Sequence, residues 1–287
     1  MDTSQLKAFV TVADCQSFSV AAETLHLTQP AVSKRVASLE HNLDSKLLDR
    51  IGRNLQLTEA GKALLPRAKT ILGELEDAQR EIHNLSGTVQ GTLRVATSHH
   101  IGLHHLPAIL SRYTEQYPNV QLQLEFLDSD TAYEAVHRGD VELAIITLTS
   151  GTIQGIDTTP LWTDPLEFVV AKHHPLAEHP HPQLRDLVNY PALLPESGTE
   201  TTRKVEALMH RHKLSLNQTM PTNYLETIKM MVTIGLGWSA LPTTIIDDQL
   251  QPLTFKEVKL ERTLGCISHS GRSLSNAAEA FLQELRA

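Results

Sequence analysis

Between residues 64 and 85, apolar side chains recur at alternating steps of four and three: Leu64, Ala68, Ile71, Leu75, Ala78, Ile82 and Leu85. This is a heptad repeat kept for about three turns of the pattern, and it requires one long helix with a narrow apolar seam. Pro66, near its start, marks a kink or a fresh first turn. Two placements of the seam are open: packed on its own domain, or paired with a second subunit. The seam is narrow and the helix joins two stretches of unlike texture, so pairing between subunits is the expectation.

On the far side of the seam, Ser86-Gly87-Thr88-Val89-Gln90-Gly91 reads as a hinge with two glycines. The pattern then becomes β-α alternation, with strands at 92–96, 120–126 and 143–147 and helices at 103–116 and 132–138. A second series starts with a strand at 166–171. Helices follow near 200–212 and 225–234, then a strand near 238–241, a strand at 263–268 and a helix at 274–285. Alternation of this kind predicts a mostly parallel, doubly wound sheet. On the near side, residues 1–57 read as short helices with tight turns and one glycine near a hairpin.

With 287 residues the expectation is two domains, each able to bury a core without staples. No apolar run approaches the ~20 residues of a membrane span, and Met1 to Leu6 lack the pattern of a signal peptide. The chain is therefore expected in the cytoplasm, without a membrane partner. Cys15 and Cys266 lie at opposite ends, which argues against a disulfide framework, a thiolate zinc site or a redox pair. The formal net charge of −8 is unevenly placed: residues 1–85 carry 10 Lys and Arg against 11 Asp and Glu, and residues 86–287 carry 15 against 22. A local basic patch near the N-terminus is thus compatible with phosphate.

Ser17 to Glu40 reads as two short helices about a turn, either an ordinary helical hairpin or a DNA-binding helix-turn-helix. Ser17 or Ser19 caps a short helix through Leu25, and Ala21 and Ala22 let another helix approach closely. His26-Leu27 makes a turn. Thr28 is placed to cap a second helix with Pro30 in its first turn. Val32, Val36 and Leu39 form its buried stripe, leaving Gln29, Ser33, Lys34 and Arg35 outside near its N-terminus. In a helix-turn-helix that end enters the major groove, where Gln suits adenine edges, Arg suits guanine edges, and Ser and Lys suit phosphate.

This stretch, with Leu47, Leu48, Asp49, Arg50, Arg53 and the run Leu57-Thr58-Glu59-Ala60-Gly61, resembles the N-terminal signature of LysR-type transcriptional regulators. The matching residues are Phe9, Ser17, Phe18, Ala21, Ala22, Leu25, Gln29, Pro30, Ser33, Leu39, Glu40, Leu43, Leu47, Arg50, Thr58 and Gly61. Leu48 stands where the family commonly has Phe, a change of core size. The resemblance implies an N-terminal all-α winged helix-turn-helix (1–57), a long dimerising linker helix (58–85) and a hinge (86–91). A C-terminal α/β two-lobed domain similar to periplasmic binding proteins follows, with lobe I at 92–161 and 265–287 and lobe II at 162–264. It places Gln29, Pro30, Ser33, Lys34 and Arg35 on the recognition helix and residues 50–57 in the wing. Arg53 then reaches toward a minor groove, whose narrow A·T tracts attract Arg. Thr58 caps the linker helix or touches phosphate. The implied partners are double-stranded DNA, a small-molecule effector, and further copies of the chain in a homodimer or homotetramer, with the tetramer favoured.

The implied effector cleft lies between the lobes, at the carboxyl ends of strands. Thr97, Ser98, His99 and His100 follow the first strand, Thr147 ends another, and Ser197, Gly198, Thr199 and Thr202 open a helix on the second lobe. Tyr224 and Trp238 supply apolar walls or plain core. Free N–H groups at two helix starts favour an anion, so a carboxylate-bearing metabolite is the expected ligand. Thr97 and Ser98 otherwise only cap the helix, and His99 and His100 either donate to the anion or line the rim.

The run HHIGLHH at 99–105 raises a metal reading. Zinc usually recruits Cys or carboxylate as well, and Gly102 weakens a helix carrying both His100 and His104. The histidines are therefore read as surface or helix-end groups, with no cofactor and no metal. No G-x-S-x-G elbow, Walker loop or dinucleotide fingerprint is present, which argues against an enzyme. The remaining alternative is a DNA-binding regulator whose C-terminal domain only oligomerises.

Overall fold

Helix starts in the N-terminal region are fixed by side chains that take up amide protons left free in the first turn. In the computed structural model, which describes residues 1–51, 54–85, 87–256 and 258–287 (50, 51, 54 and 83 by backbone alone), Asp2 caps α1 (Thr3–Cys15) in a reciprocal box with Gln5. Ser17 accepts the Val20 N–H to start α2 (Phe18–Thr24). Thr28 stands at the N-cap of α3 (Gln29–Asn42) without a side-chain hydrogen bond, and Pro30 with its preset φ lies in the first turn. His26 turns the chain between α2 and α3 in the left-handed region, at φ 52°. Leu6, Phe9 and Val12 then close on Ala21, Ala22, Val32, Val36 and Leu39.

The expected wing is a two-stranded antiparallel sheet of β1 (Leu48–Ile51) and β2 (Asn54–Leu57), and Leu48 packs partly buried on the helical core. Behind it runs α4 (Glu59–Asn84), continuous through Pro66, so the proline neither ends nor restarts it. Thr58 donates its hydroxyl to the Lys46 carbonyl (2.6 Å) and accepts the Gly61 N–H (3.0 Å). Gly61 is required here, because a Cβ would stand 2.1 Å from the Leu47 carbonyl oxygen. The heptad seam splits in two. Ala68 is buried in the helical core and Leu64 packs against it, whereas Ile71, Leu75, Ile82 and Leu85 are 39, 42, 68 and 86% exposed.

Contacts divide the chain into two compact units, Met1–Ser86 and Gly87–Ala287. The second unit contains β3 (Gly91–Thr97), α5 (His99–His104), α6 (Pro107–Gln116), β4 (Val120–Phe126), α7 (Ser129–Arg138), β5 (Leu143–Thr147) and β6 (Ile156–Ala171). It continues with α8 (Glu200–Arg211), α9 (Leu225–Thr233), β7 (Ser239–Pro242), β8 (Leu250–Leu253), β9 (Leu260–His269) and α10 (Asn276–Arg286). One sheet runs β4-β3-β5-β9-β6-β7, with β8 also paired to β6.

Three expectations need correction. Among the named strands described, the pairs β4-β3 and β3-β5 are parallel, and every pairing of β9 and β6 is antiparallel. The helix expected at 103–116 is two helices, because Pro107 opens a new first turn after α5 has closed at His105. Gly102 does not break α5; its missing side chain admits the Phe126 ring, 2.5 Å from where a Cβ would stand.

The strand expected at 166–171 is the far end of a 16-residue strand. The part before it, residues 156–165, contains Pro160 and Pro165 and alternates weakly, which hides it from periodicity. β6 and β9 pair from Ile156↔His269 to Leu166↔Leu260, with an irregularity between Pro160 and Trp162. They form the two-strand bridge from one lobe to the other.

Lobe I closes around Leu93, Val95, Ile101, Leu106, Tyr113, Ile145 and Phe281, and lobe II around Phe168, Leu187, Leu194, Val205 and Trp238.

Candidate functional site

At the N-terminal end of α3, Gln29, Pro30, Ser33 and Lys34 are exposed and Arg35 is half-buried, while Val32 and Val36 anchor the opposite face. The helix thus presents amide, hydroxyl and cationic groups from a rigid platform. Glu40, near the other end of α3, ties it to the wing. Its buried carboxylate accepts the Leu47 and Leu48 N–H groups (2.9 and 3.3 Å) and the Lys46 ammonium (2.8 Å). Burial pushes this carboxyl up, but Lys46 and the two amides outweigh it and hold the group below the usual carboxylate range. Arg50 lies on β1 with its side chain outside the described residues, and Arg53 lies outside them altogether. The Thr58 hydroxyl is committed at both its donor and its acceptor side, as a helix cap.

In the second unit, a cleft of about 300 Å³ opens between the lobes. Four helix starts reach it: Ser98 before α5, Asp128 before α7, Thr199 before α8 and Tyr224 before α9. His99, His100, Thr147, Ser197 and Gly198 line it as well. The His99 ring packs against Phe126 (centroids 4.9 Å apart) and, edge-on, against Tyr224 of the other lobe (5.1 Å), giving the cleft an aromatic wall. Ser98 makes no cap hydrogen bond, so its hydroxyl is uncommitted to the helix. Thr199 is different: it accepts the Thr202 N–H and donates to the Glu196 carbonyl.

Three residues expected on the cleft wall lie behind it. Thr97 is fully buried and donates to the Ile145 carbonyl (2.9 Å), stitching β3 to β5. Thr202 is buried and donates to the Pro195 carbonyl (2.8 Å). Trp238 sits in the lobe II core, its indole N–H shared between the Leu187 and Tyr190 carbonyls. In each case the polar atom is satisfied by backbone, as burial requires.

The cleft floor holds an ion pair that bridges the crossing strands. Arg262 of β9 directs Nε (3.0 Å) and Nη2 at Asp164 Oδ2 of β6, and Nη1 at the Thr201 hydroxyl of α8 (2.9 Å). Asp164 is 1% and Arg262 7% exposed. At the rim, Asn223 of lobe II donates to Asp128 of lobe I (3.2 Å), and Ser150 donates to Glu200 (3.1 Å).

Residues 3–62 match the lysR family of bacterial regulatory helix-turn-helix proteins, and residues 86–287 match the LysR substrate binding domain. The chain belongs to the LysR family. A probable RuBisCO transcriptional regulator of Trichormus variabilis is 33% identical over 98% of this chain and 86% of its own length. A full-length OxyR variant from Pseudomonas aeruginosa is 25% identical with a TM-score of 0.76, covering 100% of this chain and 95% of that one. Full-length CbnR complexed with its target DNA shares the fold at 21% identity, with a TM-score of 0.68 and coverage of 100% and 99%.

This LysR-family chain is a DNA-binding transcriptional regulator with a substrate-binding domain, and no described helix is long and apolar enough to cross a membrane. Sequence reasoning missed Arg262, Asp164, Thr201, Asn223 and Phe126 in its cleft region. Arg262 and Asp164 stand 98 residues apart, and no local spacing links them. Phe126 was legible as the last residue of a strand, one of the carboxyl ends where clefts form.

Proposed function

We propose that this regulator binds double-stranded DNA as a homo-oligomer, a homotetramer built from dimers, and that a small carboxylate-bearing effector in the interlobe cleft alters its output. Exposed Gln29, Ser33 and Lys34 and half-buried Arg35, on a helix anchored by Val32, Val36 and Leu39, support the DNA reading. Gln29 and Arg35 read base edges, Ser33 and Lys34 meet phosphate, and Arg50 and Arg53 of the wing follow the neighbouring groove. Such a target places the protein in the cytoplasm. The exposed half of the heptad seam, Ile71 to Leu85, supports subunit pairing, since burying it removes a continuous apolar stripe from water.

Convergence of four helix starts on one cleft is the observation that carries the effector reading. N–H groups of first turns suit an anion, and Ser98 adds a hydroxyl. Asp128, Asp130 and Glu196 also line the cleft, so the effector carries donor or cationic groups at its other end. The polar groups between the lobes hold one another, as Asn223 holds Asp128 and Ser150 holds Glu200. A cleft of that kind suits binding a ligand and reorienting around it. The effector acts through its different affinities for the two arrangements of the lobes.

Three outcomes are expected. Gln29→Ala and Arg35→Ala each weaken specific DNA binding by about 1–3 kcal/mol and relax base preference. Competition between the operator and a mutated operator measures this, and equal losses on both would reduce these side chains to backbone contacts. Ile71→Asp with Leu75→Asp yields a smaller species in sedimentation and weaker operator binding, whereas an unchanged mass would leave the seam without a subunit role. A thermal-shift screen of small carboxylates finds a stabilising ligand. Calorimetry then shows Ser98→Ala binding it at least ~tenfold more weakly, through a lost hydrogen bond to charge, with DNA binding in its absence unchanged. Wild-type affinity in that variant would move the site away from Ser98.

A further inference from the structure

We propose that His100, His105 and Asp164 form a binding site for a divalent transition-metal ion of the zinc class beneath the cleft. Two histidines and a carboxylate, brought together by α5 and the crossing strand β6, offer one ligand atom each, all within 4.8 Å of one another. His100 is 5% and Asp164 1% exposed. Among the described residues, His100 Nδ1, His105 Nε2 and Asp164 Oδ1 are buried without a hydrogen-bond partner. Three unmatched polar atoms in one buried cluster are rare in a folded protein and call for a shared partner.

The chemistry of the three groups selects that partner. Burial, then the neighbouring Arg262, His104 and His105 charges, push the His100 imidazole down to about 3. Burial also lowers His105, against the pull of Asp164. The unmatched ring nitrogens, His100 Nδ1 and His105 Nε2, are the atoms whose lone pairs a metal takes up. With its proton on Nε2, His100 faces the Thr244 hydroxyl at 3.5 Å and keeps the Nδ1 lone pair for an acceptor role. Arg262 occupies only Oδ2 of Asp164, leaving Oδ1 uncommitted.

Two imidazoles and one carboxylate are a borderline donor set, suited to Zn²⁺ and its neighbours. Two imidazoles among three donors disfavour Ca²⁺ and Mg²⁺, which bind through oxygen. Zn–ligand distances of about 2.0–2.2 Å require the groups to draw in slightly. His105 has room for this, being half-buried and stacked on Trp162 with centroids 5.1 Å apart.

A second trio shares His100 and adds His104 and Glu226. It makes a poorer site, because His104 Nε2 already pairs with Glu226 (3.1 Å) and both are partly exposed. The sequence offered no carboxylate near the histidine run; the fold supplies Asp164 from a strand far along the chain.

The test uses full-length protein stripped with a chelator and dialysed, then titrated with Zn²⁺ against a competing chromophoric chelator. One ion per chain is expected at high affinity, and Co²⁺ in its place gives the visible absorption of a low-coordinate site. His105→Gln, at a half-buried position, weakens this binding by about 100-fold or more, with unchanged circular dichroism; Asp164→Asn does the same if it folds. His179→Gln with His181→Gln, on an exposed loop, leaves it intact. Binding that is absent, or unchanged in His105→Gln, overturns the proposal, and an ordered water is then the partner of the three atoms.

Discussion

The second unit depends on the antiparallel pairing of β6 with β9 and on the buried Arg262–Asp164 ion pair set into it. Two long strands cross together from one lobe to the other, so each lobe's core is built on a continuation of the other's sheet. The ion pair sits at the crossing, and its third arm reaches Thr201 at the start of α8. Removing two charges from water is costly, and the cost is offset only by close geometry and full hydrogen bonding. Arg262 meets that condition with bonds from Nε, Nη1 and Nη2. Asp164 meets it at one oxygen and leaves the other for the histidine cluster.

The cleft follows from this arrangement. The helix starts at Ser98 and Asp128 follow the carboxyl ends of β3 and β4, and those at Thr199 and Tyr224 face them from the other lobe across one opening. The polar contacts between lobes at the rim include Asn223 to Asp128, Ser150 to Glu200 and His104 to Glu226, all at least partly exposed. The floor is buried and charged. A hinge with a firm base and a weakly held mouth suits a domain that answers a ligand by changing the angle between its lobes.

Much of the N-terminal unit was legible because its signals are local. Ser17 caps α2, Pro30 opens α3, Val32, Val36 and Leu39 face inward, and the seam from Leu64 to Ile82 lies on one helix. Of the cleft, Ser98, His99, His100, Thr147 and Ser197 to Thr199 were legible as residues at strand ends and helix starts, and Tyr224 as an apolar wall. What was not legible is long-range or sterically defined. Prolines masked the near part of β6, so its pairing with β9 and the antiparallel character of the sheet stayed hidden. Gly102 looked like a helix breaker, yet it is space for Phe126. Trp238 was open between cleft wall and plain core, and its indole N–H satisfies carbonyls in the core. Glu40 matched the family signature by type, but only the fold shows it clamping the wing to α3.

A double-mutant cycle on Asp164→Asn and Arg262→Met tests most directly the claim that this buried pair holds the lobes. Denaturant unfolding of chelator-treated full-length protein is the measurement. The chain's two tryptophans, Trp162 and Trp238, both lie in the second unit, so their fluorescence reports it selectively. Each single substitution should cost about 3–5 kcal/mol, because it strands a buried charge. The double variant should cost less than the two losses together, with a coupling of at least about 2 kcal/mol. Single losses within about 0.5 kcal/mol of wild type that simply add would contradict the account.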